Sequence, residues 1–537
     1  MPRSDVPWWR EAVIYQVYPR SFADADGNGI GDLPGARSRL AYLRRLGVDA
    51  VWLSPFYPSP QADAGYDVSD YRDVDPLFGT LADFDGLVHD AHALEIKVIV
   101  DIVPNHTSSA HEWFQAALAA APGSPERARY LFRDGRGAGG GEPPNDWRSN
   151  FGGPAWTHVV EAGGQPGQWY LHLFDASQPD LDWTNAAVVE EFEAILRFWL
   201  DRGVDGFRID VAHGLAKDPE MPNLGGRFAA RGPATSGHPH WDQDAVHDVY
   251  RGWRRVIDEY PGERAFVGEI WLHTTEQVAR YLRPGELHTA FNFHFLLATW
   301  SADSLREAID SSIAAMAGVG APATWVLSNH DVVRHVSRYG DGDVALGRQR
   351  ARAATLMMLA LPGSAYIYQG EELGLPEVLD LPDELREDPA FRRTQGKDGR
   401  RDGCRVPLPW SGGAPPFGFG PGADTWLPQP PAWAALTAEA EEVDPSSTWS
   451  MYHAALAVRR AHPALGDGTL AWIEGTPAGV LAFRRDPGFA CVLNTTANEI
   501  DVPADIEGHL LVASDPAGSA TTVPANAAVW VTTPLLP

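Results

Sequence analysis

Eight short apolar runs recur along this chain: AVIYQVY (12 to 18), AVWLS (50 to 54), KVIVDIV (97 to 103), GFRID (206 to 210), AFVGEI (265 to 270), TAFNF (289 to 293), TWVLSN (324 to 329) and AYIYQ (365 to 369). Helix-like stretches alternate with them, at 34 to 46, 80 to 94, 186 to 202, 242 to 259, 275 to 282, 301 to 316, 344 to 360 and 449 to 461. Strand and helix in strict alternation specify parallel βα units. Eight such units close into a (β/α)8 TIM barrel more naturally than they extend an open sheet. In the third helical stretch Val188, Phe192, Ile195, Leu196 and Trp199 recur at three- and four-residue steps, an apolar stripe that should lie on the barrel.

Two connections break the rhythm. About 80 residues rich in Gly, Pro and Trp separate the third run from the third helix, too many for a simple loop, so an inserted small domain is expected over 105 to 183. A second excursion, 371 to 447, follows the eighth run and should form part of the active-site rim. From 463 to 537 short apolar runs with polar turns between them predict an antiparallel β-sandwich domain. The barrel itself then takes 1 to 104 and 184 to 462.

Formal charge is −28 over 537 residues, which argues against nucleic acid and anionic membrane as partners and leaves neutral substrates unpenalised. Twenty tryptophans and fifteen tyrosines suit the apolar faces of sugar rings, although core filling accounts for most of them. Cys404 and Cys491 have no metal-ligand or redox spacing and should be buried free thiols. MPRSDVPWWREA lacks the apolar centre of a secretory leader, and no 18-residue apolar run occurs; the expectation is a cytoplasmic protein, monomeric or homodimeric. The glycine run 137 to 141 neither follows a strand nor opens a helix, so it is read as linker and not as a phosphate loop.

Acidic residues stand where three of the apolar runs end: Asp210 in GFRIDVA, Glu269 in FVGEIW and Asp331 in SNHD. In a parallel barrel those ends share one mouth, where active sites are built. Arg208 and Asp210 are two apart on a strand and so face the same way, and the arginine is expected to keep Asp210 ionised, as a nucleophile requires. An ordinary buried ion pair explains that pair alone equally well. Glu269 sits among Phe266, Val267, Ile270 and Trp271, where desolvation would keep a proton available for a leaving oxygen. His330, His106 in DIVPNH and Asp67 in GYDVSDY add further polar groups at strand ends. Paired carboxylates at one barrel mouth point to a retaining glycoside-processing enzyme, with the two carboxyls about 5 to 5.5 Å apart.

The segments GYDVSDY, DIVPNH, QPDLDW, GFRID, GEIW and SNHD, in this order, resemble the signature segments of glycoside hydrolase family 13, the α-amylase family. The opening WWREAVIYQVYPRSFADADGNGIGDL is similar to the α-glucosidase and oligo-1,6-glucosidase branch. The resemblance implies that Asp210 is the nucleophile, Glu269 the general acid/base, and Asp331 the carboxylate that holds the 2- and 3-hydroxyls. Tyr66, Asp67, His106, Arg208 and His330 would contact the terminal sugar, and Phe174 and Gln178 the next one. In GRRDGCRVPLPW, Arg401 resembles the arginine that pairs with the GYD aspartate and closes the pocket, with Arg405 as the competing assignment.

The implied activity is exo-acting hydrolysis of terminal α-linked glucose from short oligosaccharides through a covalent intermediate. Transfer or isomerisation on the same scaffold is the alternative, and a non-catalytic sugar-binding barrel a remote one, since all three acids are present. Val211 after the nucleophile hints at α-1,6 linkages, but the following AHGLAKDP departs from that pattern, so mixed α-1,4 and α-1,6 specificity is expected.

In DADGNGIGD, Asp24, Asp26, Asn28 and Asp32 with the Ile30 carbonyl place oxygens at alternate positions, as calcium loops do, but Gly35 replaces the bidentate glutamate of an EF-hand. A solvated acidic turn is the bland reading. The resemblance implies a structural Ca2+ or Mg2+ here, and no cofactor for catalysis.

Overall fold

In the computed structural model, residues 6–161, 164–226 and 237–533 are described. Met1 to Asp5, part of the segment read for a leader, fall outside them.

The first three barrel strands are β1 (Val13–Val17), β2 (Ala50–Leu53) and β3 (Lys97–Ile102). After β3 the chain leaves the barrel for a three-stranded antiparallel sheet of β4 (Phe132–Arg133), β5 (Trp156–Val160) and β6 (Pro166–Leu171), with β6 in the middle. It returns as β7 (Gly206–Ile209), β8 (Ala265–Gly268), β9 (Thr289–Ala290), β10 (Thr324–Val326) and β11 (Ser364–Tyr368). These eight strands pair in parallel in the order β10-β11-β1-β2-β3-β7-β8-β9, a sheet curled nearly into a closed barrel.

Alternation along each strand sorts its side chains into two cores. Val13, Tyr15 and Val17 point outward to the helices, while Ile14 joins Trp52, Ile99, Val267, Phe291, Val326 and Tyr366 inside the barrel. Two residues further along the same inward rows stand Gln16, Ser54, Asp101 and Glu269, all buried, so the barrel interior passes from apolar to polar toward the C-terminal ends of its strands. The active residues therefore rest on a packed floor.

Helices cover the outside. Ala186–Asp201, capped by Asn185, buries Val188, Phe192, Ile195, Leu196 and Trp199, the stripe seen in the sequence. Leu81–Ala93 opens with a Thr80/Asp83 capping box, which satisfies two otherwise orphaned backbone donors.

Some elements differ from expectation. The stretch 34 to 46 is two helices, Leu33–Ser38 and Leu40–Leu46, hinged at Arg39, whose φ of −102° and ψ of 1° lie outside the helical well. The sixth strand stops at Ala290, because the Asn292 side chain accepts from the Phe295 N–H and starts the short helix Phe293–Leu296.

The C-terminal part holds two antiparallel sheets. One contains β12 (Ala471–Trp472), β13 (Val480–Arg485), β14 (Phe489–Asn494), β16 (Leu510–Ala513) and β18 (Ala527–Thr532), the other β15 (Ile500–Asp501) and β17 (Thr522–Val523). Val480, Val492, Val529 and Val531 of the larger sheet pack with Val523 of the smaller and with Val502 and Ile506. Both cysteines are buried free thiols. Among the described residues no helix is long and apolar enough to cross a membrane.

Candidate active site

Arg208 organises the mouth of the barrel. From β7 its Nη1 reaches Asp210 Oδ1 at 2.6 Å and both oxygens of Asp101 on β3 at 3.0 and 3.1 Å, while Nη2 reaches Glu269 Oε2 at 2.8 Å. One guanidinium thus gathers three carboxylates from three neighbouring strands. Sharing changes the electrostatics expected from an isolated Arg208/Asp210 pair. Burial pushes the Asp210 carboxyl well above its ordinary range; Arg208 pulls it down, and the nearby Glu269 and Asp101 carboxylates push it up again. Asp101 is driven up to about 7, chiefly by burial, with Arg208 opposing. The expectation that Arg208 keeps Asp210 ionised is therefore corrected: one cation faces three acids, and burial with the neighbouring carboxylates outweighs its pull on Asp210.

Glu269 is held on both oxygens. Oε2 also accepts from the Val211 N–H at 3.0 Å, and Oε1 from the Trp271 indole N–H at 2.9 Å. To aim its N–H this way Val211 adopts a φ of +44°, a left-handed conformation that is a genuine outlier for a β-branched residue and characteristic of functional sites.

Across the mouth lies Asp331. Burial works against its ionisation, yet its carboxyl is held far below the usual range by His330 and, where that imidazole is neutral, by Arg401, Arg405 and Arg208. Arg401 Nη1 and Arg405 Nη2 both donate to Asp331 Oδ1, at 3.0 and 2.8 Å. The two arginines differ in their other contacts. Arg401 Nη2 continues to Asp63 Oδ1 at 2.9 Å and Asp388 Oδ1 at 3.0 Å, whereas Arg405 turns its Nε to the His330 carbonyl at 2.8 Å. Arg401 belongs to the excursion after β11, which thereby forms part of the rim.

Of the two aspartates in ADAGYD, Arg401 pairs with Asp63 and not Asp67. Ala64 and Gly65 take φ values of +52° and +98°, turning the chain back on itself. Asp67 is thereby fully buried, and accepts from Ser59 Oγ at 2.9 Å and from the Ala62 and Asp63 N–H groups at 3.0 Å each. It ties the loop that presents Asp63. Gln178 is fully buried and donates to Asp63 Oδ2 at 3.1 Å.

His330 accepts from Gln16 Nε2 on Nδ1 at 2.7 Å, which leaves its proton on Nε2, 3.2 Å from Asp331 Oδ2. Burial lowers it to about 3, so it stays neutral. Tyr66 stacks on it with centroids 5.2 Å apart and donates to Asp101 Oδ2 at 3.0 Å. His106, lowered to about 4 by burial, lies 3.1 Å from the Tyr66 carbonyl and 5.3 Å from the Phe174 ring. Phe174 and Phe151 pack edge to face at 5.5 Å, and the Arg401 guanidinium lies over Phe151 at 5.1 Å.

Sequence reasoning missed Asp63, Asp101 and the grip of Trp271 on Glu269. Asp101 carried a signal: it stands two residues after inward-facing Ile99 in KVIVDIV, on the row that ends at the mouth.

Away from the mouth, Asp24, Asp26 and Asp32 each bring an oxygen within 4.8 Å of the others. Gly27 and Gly29, at φ +88° and +85°, make the turns, and both their N–H groups bond to Asp24. Asn28 turns its Oδ1 to the Ile30 N–H at 2.8 Å and its amide N–H to Asp26. Burial raises the Asp32 carboxyl, with Asp24 and Asp26 adding to it.

Comparison with known proteins decides the lineage, because residues 16–468 match the family model described as alpha amylase, catalytic domain. The chain belongs to the α-amylase family. Within the family it is 40% identical over 505 residues to a protein described as a probable alpha-glucosidase of Rhizobium meliloti, covering 90% of this chain and 88% of that one. It is 36% identical to an oligo-1,6-glucosidase of Parageobacillus thermoglucosidasius, with the same coverage. Among solved structures, an α-glucosyl transfer enzyme, XgtA, superposes with a TM-score of 0.88 at 38% identity, covering 98% of this chain and all of the other. Family membership makes the chain a glycoside hydrolase by descent.

Proposed function

We propose that this enzyme is a retaining, exo-acting α-glucosidase that removes terminal glucose from short α-1,4- or α-1,6-linked oligosaccharides. Asp210 attacks C1 while Glu269 gives its proton to the glycosidic oxygen; the C1–O bond breaks, the aglycone leaves, and a covalent β-glucosyl-enzyme forms. Water, deprotonated by Glu269, then displaces Asp210 from C1, so the α configuration returns. Asp331, kept anionic by its arginines, takes the 2- and 3-hydroxyls, and Tyr66, His106, Arg208 and His330 line the terminal site.

The observation that supports the exo reading is the reach of Arg401 from the rim to Asp63 and Asp331 at once, a bridge that would wall off one side of the catalytic acids. Proton NMR of maltose, isomaltose and sucrose digests tests it, with α-glucose as the first product. Efficient internal cleavage of starch or of a cyclodextrin would sink the assignment. Likeness to a glucosyl transfer enzyme supports a second reading, in which a sugar or alcohol replaces water. New glucosidic signals exceeding free glucose in the same spectra would favour it.

For the acidic loop we propose a structural Ca2+ or Mg2+ site held by Asp24, Asp26 and Asp32. Three carboxylates sharing a small volume suit a hard cation with oxygen ligands, which would offset their mutual repulsion. No step of catalysis involves it.

A further inference from the structure

Glu269 has to act twice with opposite proton demands, and its partners favour one of them. Its Oε2 is taken by Arg208 Nη2 at 2.8 Å and the Val211 N–H at 3.0 Å, leaving Oε1 as the oxygen that exchanges a proton with the substrate. One lone pair of Oε1 is already occupied by Trp271 Nε1 at 2.9 Å. An indole N–H is a donor and cannot accept a proton, so this contact supports the carboxylate and directs the remaining lone pair of Oε1.

Trp271 is itself fixed. Its ring stacks on Phe293 with centroids 3.6 Å apart and planes 4° from parallel, and both pack on the barrel-interior core. Phe293 is available for this because the sixth strand ended early and the chain turned into a helix.

We infer that Trp271 is a positioning residue for the second half of the reaction, holding Glu269 Oε1 ready to accept the proton of the incoming hydroxyl. In that step the hydroxyl O–H gives its proton to Oε1, the new O–C1 bond forms and the C1–Oδ bond to Asp210 breaks. In the first step the same N–H stabilises the carboxylate that proton donation leaves behind. With a leaving group that needs no acid that effect drops out, and Trp271 sets how fast the glucosyl-enzyme is released more than how fast it forms. This rests on the assignment of Glu269 as acid/base.

The test is Trp271→Phe, which keeps a ring against Phe293 and deletes the N–H, assayed on a p-nitrophenyl α-glucoside whose leaving group needs no acid. The expected result is a kcat reduced about tenfold or more, for a lost charge-assisted hydrogen bond, with kcat/KM within about threefold and a burst of p-nitrophenol. Azide, a nucleophile that needs no base, should restore kcat and yield glucosyl azide. The alkaline limb of kcat/KM on maltose should move to higher pH, which a packing defect would not cause. Parallel loss of kcat and kcat/KM with no azide effect would overturn the inference. Trp271→Leu has no side-chain donor at all, so it carries the same test should the phenylalanine variant not fold. Glu269→Ala with azide separates the two levels: if it yields no glucosyl azide, the acid/base assignment itself fails.

Discussion

Single residues here act through the company they keep. Asp210 shares Arg208 with two other acids. Asp210→Asn is expected to lower turnover at least about 10^4-fold while calorimetry still detects sugar binding. Near-normal turnover would remove Asp210 from the mechanism. The two aspartates of ADAGYD should separate cleanly. Asp63→Asn takes a charged partner from Arg401 and should raise KM for maltose about tenfold with a smaller change in kcat. Asp67→Asn loosens a buried loop tie and should chiefly lower the melting temperature. If Asp67→Asn raised KM as strongly as Asp63→Asn, the division of labour drawn from the geometry would be wrong. That distinction was not legible in the sequence, because the motif holds both residues and only the left-handed turn at Ala64 and Gly65 decides which one faces the arginine.

At the scale of elements, what could be read in advance was whatever follows from periodicity. The helix 186 to 202 and all eight strands, the sixth shortened, declare themselves through their apolar runs and spacing, and strand parity sends Arg208 and Asp210 to one face. Less visible was any feature set by a side chain bonding to backbone, such as the Asn292 cap that shortens β9. Legibility also failed for contacts between distant loops, since nothing local in GRRDGCR says which carboxylate 338 positions away Arg401 will meet. The acidic loop before the first helix is an element whose ligand can be tested directly. Chelation, or Asp24→Ala, should lower the melting temperature by several degrees with kcat little changed after brief treatment. Added Ca2+ should restore the chelated enzyme and leave Asp24→Ala unchanged; a chelator without effect would leave only a solvated turn.

For the whole molecule, buried carboxyls set the dependence of stability on pH. Glu371 is raised from 4.5 to about 8 by burial, and accepts from the Tyr368 N–H at 2.9 Å and Tyr452 Oη at 3.2 Å. A raised carboxyl means that the native state holds a proton the unfolded chain has already released. Stability from this group should therefore fall as pH rises from about 4.5 to about 8 and level off above that. Asp331, depressed instead, contributes stability above its unfolded value and loses it only in strong acid. Melting temperatures of Glu371→Gln between pH 5 and 9 should decline less steeply than those of the parent; an unchanged slope would mean that Glu371 ionises freely. The span from Arg401 to Asp63 and Asp331 has one further outcome, in the traffic of products. A glucose cut off on the closed side has no exit except the entrance, which the shortened chain still occupies. Both products must then depart after every cut, so the enzyme cannot slide along its substrate. Maltoheptaose should accordingly pass through every shorter oligomer in turn, each accumulating in solution, and never fall to glucose in a single encounter.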